Sequence, residues 1–237
     1  MNLCVPCNKV LRILCSPMSI DTFLGIEIKR LGKQEFEISQ PFLIDRILAL
    51  LQLENNGFET DSHNKLMPTA PQILNKDLMG KLRKKSWKYP TVVGMLSYLQ
   101  GHTRPDISMP VHQMAHFCND PKLSHEQAIT CIGRYLLGSR DKGIKYKVDL
   151  SKGLECYVDA DFAGGWQKAD ADSASNVMSR TGYVLMYAGC PIHWVSKLQT
   201  EIALSTAEAE YIALSQSLRE VIPLMSMMKE KVKNTLK

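Results

Sequence analysis

Around residue 143 the spacing of apolar residues changes from every third or fourth position to every second. Alternation of this kind is typical of strands with one buried face. The clearest example is the set Leu154, Cys156 and Val158. A helical pattern then begins at Ser205. The last third of the chain is therefore predicted to form an antiparallel meander followed by a helix. A first strand is predicted at 143–148, and the strands of the meander at 154–159, 182–187 and 192–195.

The last predicted helix carries a start signal and a stop signal. Ser205 and Glu208 form a Ser-x-x-Glu capping box, in which the Glu208 carboxylate is expected to accept a hydrogen bond from the N–H of Ser205. Pro223 is expected to end or kink the helix, because proline lacks an N–H and crowds the preceding turn. The apolar stripe predicted to face the strands consists of Ala207, Tyr211, Leu214, Leu218 and Val221.

The residues upstream of the meander begin with a hairpin pattern. Segments 23–30 and 35–39 each alternate, and Gly32 supplies a turn between them. Pro41 then opens a helix at a position where its missing N–H is not needed. The apolar stripe of that helix consists of Ile44, Ile47, Leu48 and Leu51.

Two more helices are predicted after a polar segment, 54–86, that contains several turn-forming residues. One starts near Tyr89 and is followed by a turn at 103–108. The other is marked by Ser124 and Gln127 as a capping box, by Ile129, Ile132 and Leu136 as an apolar face, and by Gly138 as its end.

The composition of the 237-residue chain excludes several classes of protein. Hydrophobic residues make up 45% and charged residues 22%, an ordinary balance for a soluble globular fold. No run reaches the ~18 apolar residues that a membrane span requires. Cys4 and Cys7 form a CxxC motif without the partners of a zinc or thioredoxin-like site, so free thiols in a reducing compartment are expected. An intracellular protein without a membrane partner is therefore expected.

A cluster of basic residues occupies the segment 81–88. In a chain with a formal net charge of +5, such a cluster is compatible with contacts to the phosphates of nucleic acid. A solvated loop or helix face has the same composition, so both interpretations stay open. The candidate nucleic-acid contacts are Lys81, Arg83, Lys84, Lys85 and Lys88.

Two acidic residues are predicted to come close together. Asp159 lies at the end of a predicted strand, and Glu210 lies on the helix that follows the meander. Glu208 cannot share the role of Glu210, because residues two positions apart on a helix point about 200° apart. Glu210 lies about 40° from Leu214, at the edge of the predicted stripe. Such a pair fits either structural carboxylates or ligands of a metal ion.

Several short motifs occur in an informative order. In the last third they are YVDADFAG (157–164), SRTGYV (179–184), IHWVSKLQ (192–199) and ALSTAEAEYIAL (203–214). Upstream they are FLGIEI (23–28), SQ (39–40), VGMLSYL (93–99), TRPDIS (103–108) and RYLLG (134–138). The first set resembles the ribonuclease H domain of Ty1/copia-type retrotransposon Pol polyproteins, and the second resembles the C-terminal reverse transcriptase region of the same elements. The resemblance covers about residues 21–230.

The resemblance implies an α+β fold in three parts. Residues 1–20 stay unassigned, and 21–148 correspond to the thumb- and connection-like end of a reverse transcriptase. Residues 149–237 correspond to a partial ribonuclease H-like domain, a three-strand antiparallel meander and then a helix. The resemblance also implies the remainder of the Pol polyprotein as a partner. It implies a location in the cytoplasm or nucleus, and in a virus-like particle for an intact element.

The resemblance also assigns chemistry to two residues. Asp159 matches the first catalytic Asp of the family, and Glu210 matches its catalytic Glu. In the family these carboxylates bind Mg²⁺, which activates water against a phosphodiester of RNA in an RNA–DNA hybrid. Carboxylates suit the task because hard divalent cations prefer oxygen ligands. Asp161 is a weaker candidate, for which the role of a polar loop residue is expected.

Two absences limit the expected activity of this chain. The family's polymerase site requires an Asp-Asp dipeptide, and none occurs here. The family also has metal-binding carboxylates downstream of Glu210, and no Asp follows Asp172. The chain is therefore expected to be inactive by itself, and whether it is an enzyme stays open. The alternative function is a non-catalytic module that binds nucleic acid or that a host retains for interactions.

Overall fold

The computed structural model shows an α+β fold and describes residues 22–53, 67–68, 74, 76–84, 86–166, 168 and 174–235. The strands are β1 Thr22–Phe23, β2 Ile26–Arg30, β3 Glu35–Ser39, β4 Ile144–Lys147, β5 Leu154–Asp161, β6 Arg180–Tyr187 and β7 Cys190–Leu198. The helices are α1 Pro41–Leu50, α2 Tyr89–His102, α3 Ser108–Ala115, α4 Leu123–Leu137, α5 Ala174–Val177 and α6 Thr206–Thr235. Within these ranges, no helix is both long and apolar enough to cross a bilayer.

The chain folds into two compact units. The helical unit consists of Ile20–Lys29 and Glu37–Lys145, and the meander unit contains Arg30–Phe36 and Tyr146–Lys237, as far as the described residues extend. Strands β1 to β4 form one sheet in sequence order, and β5 to β7 form a second. The domain boundary placed between 148 and 149 by the resemblance stays a prediction. Much of the polar segment 54–86 lies outside the described residues.

One dense core holds the helical unit together. The apolar faces predicted for α1 and α4 are confirmed, because both are buried in this core. Gly138 follows α4 as its C-cap, as predicted. The buried core consists of Ile44, Ile47, Leu48, Leu51, Trp87, Tyr89, Val92, Val93, Leu96, Leu99, Ile107, Val111, Met114, Ala128, Ile129, Ile132 and Leu136.

The first predicted strand is interrupted by a tight turn. Phe23 of β1 pairs antiparallel with Ile26 of β2. Between them Leu24 and Gly25 have φ angles of 51° and 77°, a conformation that bulky residues rarely adopt. The prediction of one continuous strand over 23–30 is therefore wrong, because alternation alone does not distinguish an extended leucine from one in a turn.

The turn predicted at 103–108 continues into a helix that the sequence pattern did not predict. Pro105–Ile107 forms a 3-10 turn, and α3 begins directly after it at Ser108. The 3-10 turn and α3 follow each other without a gap. Pro105, which restricts the residue before it to extended geometry, therefore also begins this helical segment.

The start of α4 differs from the predicted capping box. The helix begins at Leu123, and the N–H of Lys122 donates a hydrogen bond to Nδ1 of His125 at 2.9 Å. The hydroxyl of Ser124 instead donates to Oδ2 of Asp77 at 2.5 Å. The predicted Ser124–Gln127 box is therefore wrong, because Ser124 lies inside the helix and its hydroxyl is used in a contact distant in sequence.

A buried polar network links the turn between α2 and α3 to the end of α4. The guanidinium of Arg104, 3% exposed, donates to Oδ2 of Asp106 at 2.7 Å and to the backbone oxygen of Ser139 at 2.9 Å. The hydroxyl of Tyr135 donates to Oδ2 of Asp106 at 2.6 Å. Burial raises the pKa of the Asp106 carboxyl, but the hydrogen bonds from Arg104 and Tyr135 outweigh burial and lower that pKa overall.

In the meander unit, β5, β6 and β7 form the predicted antiparallel meander in that order. Ala188 and Gly189, with φ angles of 51° and 74°, make the tight turn between β6 and β7. The core of this unit is small and contains Tyr183, Leu185 and, from α6, Val221. The predicted inward face of β5 packs against it, which confirms the assignment of Leu154, Cys156 and Val158.

Helix α6 packs on the sheet through its small residues. Leu214 and Leu218, which were predicted to face the strands, are 44% and 41% exposed, and Tyr211 is 72% exposed. The predicted stripe is therefore wrong except at Val221. Small side chains let the helix backbone approach the sheet closely, so large ones are left on the outer faces. The buried face consists of Ala209, Ala213, Ser217 and Val221.

Pro223 lies inside α6, which continues to Thr235. The expectation that the helix ends at this proline is therefore wrong. Proline in a helix interior removes one hydrogen bond and usually destabilises the helix. Here Leu224 and Met225, the next two residues, pack against the core of the meander unit. This packing holds the segment after the proline in a helical conformation.

Candidate functional site

Strand β5 places Asp159 at one edge of the meander sheet. β5 is the first strand of that sheet and pairs with β6, where Asp159 lies opposite Gly182. Asp159 is exposed. Because Val158 packs against the core, alternation places the Asp159 side chain on the other face of the strand. Its carboxylate is therefore accessible from solvent.

Helix α6 brings Glu210 to the same edge of the sheet. Oε1 of Glu210 accepts a hydrogen bond from the backbone N–H of Ala160 at 3.3 Å. Ala160 directly follows Asp159, so the helix carboxylate contacts the strand beside the strand carboxylate. The structure thus brings the Glu210 carboxylate to the backbone of the residue that follows Asp159.

The start of α6 separates the role of Glu208 from that of Glu210. The hydroxyl of Ser205 accepts a hydrogen bond from the N–H of Glu208 at 3.1 Å, which confirms the predicted cap. Oε2 of Glu208 accepts from the N–H of Leu204 at 2.7 Å rather than from that of Ser205, so the expected partner was one residue off. Glu208 takes part in capping the N-terminus of α6, and Glu210 is the carboxylate that contacts β5.

Gln199 joins the sheet to α6 next to Glu210, and it was not among the candidate residues predicted from the sequence. It directly follows β7 and is 1% exposed. Its Nε2 donates to the backbone oxygen of Ala209 at 2.8 Å and to Oγ1 of Thr181 at 3.2 Å. Ala209 is the residue before Glu210. No local pattern marks a glutamine for such a role, because its partners are distant in sequence.

Asp161 is the last residue of β5. It is exposed and lies opposite Arg180 in the register of β5 and β6. Burial lowers the pKa of the Arg180 guanidinium, and the negative charge of Asp161 acts in the opposite direction. A side chain at Gly164 would collide with the Asp161 carboxylate, so this carboxylate lies over the turn. The expected place in a loop is therefore wrong, because Asp161 still pairs with β6, although its carboxylate lies beside the turn that follows.

The edge of β5 offers two carboxylates to a ligand. Their oxygens suit hard cations such as Mg²⁺. In the part of the chain that the structure describes, no group of three or more His, Cys, Asp or Glu residues is arranged to hold a metal ion. Mg²⁺ is commonly bound by one or two carboxylates together with substrate phosphates. A cation at this edge would therefore need further ligands, such as substrate phosphates.

Arg83, one of the five basic residues in the segment 81–88, is occupied by contacts inside the helical unit. Its Nε donates to Oε2 of Glu126 at 2.9 Å, and both side chains are largely buried. Its guanidinium also lies 4.8 Å from the ring centroid of Trp87. Lys85 lies outside the described residues. The exposed members of the cluster are Lys81, Lys84 and Lys88.

Comparison with known proteins identifies relatives of the chain. No family model matches it, and no solved structure matches it. The chain is 33% identical over 215 residues to the retrovirus-related Pol polyprotein from transposon TNT 1-94 of Nicotiana tabacum. It is 31% identical over 208 residues to the retrovirus-related Pol polyprotein from transposon RE1 of Arabidopsis thaliana. These matches cover 87% and 88% of this chain. The chain belongs to the copia-type Pol polyproteins.

Copia-type Pol polyproteins are much longer than this chain, which spans 15% and 13% of those two relatives. A shorter relative is the secreted RxLR effector protein 161 of Plasmopara viticola. It is 35% identical over 138 residues, which make up 58% of this chain and 92% of the effector. Copia-type Pol sequence of this kind is thus related both to long polyproteins and to a short protein. The function of this chain therefore has to be argued from its own residues.

Proposed function

We propose that this chain joins the end of the reverse transcriptase region, residues 21–148, to the start of the ribonuclease H region, residues 149–237. In an intact Pol polyprotein this part acts on RNA–DNA hybrids. The observation that carries the proposal is the hydrogen bond from the N–H of Ala160 to Glu210. It places an acidic residue of the helix against the strand that bears Asp159. This contact supports the pairing of strand and helix carboxylates that the ordered motifs imply.

Asp159 and Glu210 would hold Mg²⁺ through their carboxylates. Bound Mg²⁺ would make water a stronger nucleophile towards a phosphodiester of the RNA strand. Asp159 is exposed, which leaves space for a substrate phosphate beside it. Glu210 is oriented by the N–H of Ala160. Glu208 has no part in the site, because its carboxylate is bonded at the start of α6.

By itself the chain is proposed to be inactive as a nuclease. The described residues provide no third acidic, cysteine or histidine ligand beside the pair, and two carboxylates alone hold Mg²⁺ weakly. Polymerase activity is not proposed, because the chain contains no Asp-Asp dipeptide. A gel assay with a labelled RNA–DNA hybrid is expected to show no cleavage with Mg²⁺ or Mn²⁺. Cleavage that Asp159→Asn abolishes would overturn the proposed inactivity.

Paramagnetic Mn²⁺, used in place of Mg²⁺, tests the site in the full chain. The NMR signals of the amides of Asp159 and Ala160 are expected to broaden first as Mn²⁺ is added. Asp159→Asn and Glu210→Gln are each expected to remove this selective broadening. Glu208→Gln is the matched control and is expected to leave it unchanged. Equal broadening of many acidic surface sites in the wild-type chain would contradict the proposal.

A second candidate function is binding of nucleic acid without catalysis. It is favoured by the exposure of Lys81, Lys84 and Lys88, three cations in one short segment of the helical unit. We expect weak, sequence-independent binding that falls with salt, because phosphate contacts release counterions.

The salt dependence of hybrid binding tests this candidate. Replacing Lys81, Lys84 and Lys88 by Gln is expected to reduce the slope of log affinity against log salt by about 2 to 3, since each phosphate contact contributes about 0.9. The control of equal charge replaces the exposed lysines Lys29, Lys152 and Lys229. Equal slopes for the two triple variants, or no binding at low salt, would remove this candidate.

A further inference from the structure

The side-chain amide of Gln199 links the meander sheet to the helix that carries Glu210. Nε2 of Gln199 donates to the backbone oxygen of Ala209 at 2.8 Å and to Oγ1 of Thr181 at 3.2 Å. A backbone oxygen only accepts, so the contact with Ala209 requires the donor end of the amide and fixes its orientation. Oε1 of Gln199 has no hydrogen-bond partner. The link therefore depends on Nε2 alone.

The contacts of Gln199 belong to a closed ring that includes the candidate site. Thr181 lies opposite Ala160 in the register of β5 and β6. Gln199 joins Thr181 to Ala209, the residue before Glu210. Glu210 closes the ring by accepting from the N–H of Ala160. A shift of α6 along the sheet would therefore break the contacts of Gln199 and of Glu210 together.

Burial makes this ring stiff. Thr181 and Ala209 are each 0% exposed, and Gln199 is 1% exposed. A buried amide that loses its acceptors is left with unsatisfied donors, which is costly in a protein interior. The backbone N–H of Gln199 also donates to the backbone oxygen of Ser179 at 2.8 Å, which anchors the residue to the segment before β6. Gln199 thus has one well-defined position from which to hold the first turn of α6.

We propose that Gln199 is a positioning residue that holds the carboxylate of Glu210 against the edge of β5. It acts through the backbone of Ala209, since its own side chain is buried and does not reach solvent. The expectation that Gln199 affects the binding of a cation rests on the proposed function. The expectation that Gln199 maintains the contact between Glu210 and Ala160 does not depend on that function.

Hydrogen exchange at the amide of Ala160, measured in the full chain, reports on this contact. Gln199→Met keeps the size of the side chain and removes both donors. In Gln199→Met we expect the exchange rate of the Ala160 amide to rise. On a logarithmic scale, the rise should be at least half of the difference between the wild-type rate and the rate in Glu210→Ala. The amides of β5 that bond to β6 are expected to keep their wild-type rates. Unchanged exchange at Ala160 would overturn the proposal. A uniform acceleration along β5 would also overturn it, since it would show a role in stability alone.

Two further variants keep this test decisive. Gln216→Met is the matched control, because Gln216 lies on the same helix as Glu210 and its Oε1, like that of Gln199, has no partner. It is expected to leave exchange at Ala160 unchanged. Thr181→Val removes one acceptor of Gln199 and keeps the bond to Ala209, so a smaller acceleration is expected. If Gln199→Met does not fold, Thr181→Val decides, and wild-type exchange at Ala160 in that variant would contradict the proposal.

Titration with Mn²⁺ separates this proposal from the proposed function. If the wild-type chain binds Mn²⁺ at Asp159, Gln199→Met is expected to weaken binding about 10- to 100-fold, as residues that orient metal ligands do. Wild-type affinity in that variant would overturn the claim that positioning by Gln199 serves the cation. If the wild-type chain does not bind Mn²⁺ there, the proposed function fails, and exchange at Ala160 still decides the role of Gln199.

Discussion

The helical unit and the meander unit bury their apolar residues in different ways. Among the residues that the structure describes, the core of the helical unit contains seventeen buried apolar residues, most of them large, whereas the core of the meander unit contains three. In the meander unit, α6 lies on a three-stranded sheet through Ala209, Ala213 and Ser217. The stability of the helical unit therefore depends on large side chains that fill its core. The meander unit depends on close backbone approach and on buried hydrogen bonds such as those of Gln199.

The largest difference is expected between two leucine truncations. Leu96→Ala, in the core of the helical unit, should lower the free energy of unfolding by about 2–5 kcal/mol, because it leaves a cavity at a fully buried position. Leu218→Ala, on α6, should lower it by less than about 1 kcal/mol, because Leu218 is 41% exposed. Urea unfolding of both variants measures this. A larger effect at Leu218 would show that α6 faces the sheet with the stripe predicted from the sequence.

A substitution in the opposite direction tests the small-residue contact of α6. Ala213→Leu should lower the free energy of unfolding by about 1–3 kcal/mol, because a fully buried alanine leaves no space for a larger side chain. Ser215→Leu, at an exposed position of the same helix, is the matched control and should change stability little. Thermal melts of both variants are the measurement. A neutral Ala213→Leu would mean that the helix is not seated closely on the sheet.

A smaller and pH-dependent effect is expected from the polar network of the helical unit. Asp106→Asn should lower the free energy of unfolding at neutral pH by about 1–2 kcal/mol, with the value reduced because the Asp106 side chain is 36% exposed. The pKa of Asp106 is lowered in the folded chain. Its contribution is therefore present above the pKa of an unfolded Asp, about 3.9, and is lost as pH falls from there through the lower folded pKa.

Acid unfolding curves of the wild type and of Asp106→Asn check this sign. The difference in stability between the two should shrink as pH falls below about 4. A difference that stays constant down to the acid limit would show that the carboxylate charge of Asp106 contributes nothing.

The smallest effect is expected at the start of α6. Ser205→Ala removes the hydroxyl that accepts from the N–H of Glu208 and should lower the free energy of unfolding by about 0.5–1 kcal/mol. Ser215→Ala, inside the same helix and exposed, should be neutral or slightly stabilising. Parallel melts compare them. A larger loss at Ser215 would contradict the assigned helix start.

Much of the fold follows from local patterns, and the misses have physical causes. Alternation predicted the meander, and helical spacing predicted the buried faces of α1 and α4. The same rule failed at Leu24, because its apolar side chain sits in a turn with positive φ. The rule also failed on α6. It assigns the largest apolar residues to the buried face, whereas the face that contacts the sheet contains the small residues Ala209 and Ala213.

The site was predictable only in part. Asp159 and Glu210 were found through motif order, and the structure places Glu210 against the backbone N–H of Ala160, the residue after Asp159. Gln199 was missed because its partners belong to β6 and α6, and only the tertiary fold joins them. The ion pair between Arg83 and Glu126 was missed for the same reason, since 43 residues separate the two along the chain.

The role of Asp159 and Glu210 in a nuclease site can be tested most directly by restoring the rest of such a site. The chain would be fused to the segment that follows the matched region in the TNT 1-94 Pol polyprotein, and cleavage of an RNA–DNA hybrid would be assayed with Mg²⁺. We predict cleavage by the fusion, which Asp159→Asn and Glu210→Gln each abolish and Glu208→Gln leaves intact. A folded fusion that does not cleave, or one that cleaves equally well with Asp159→Asn, would contradict the assignment.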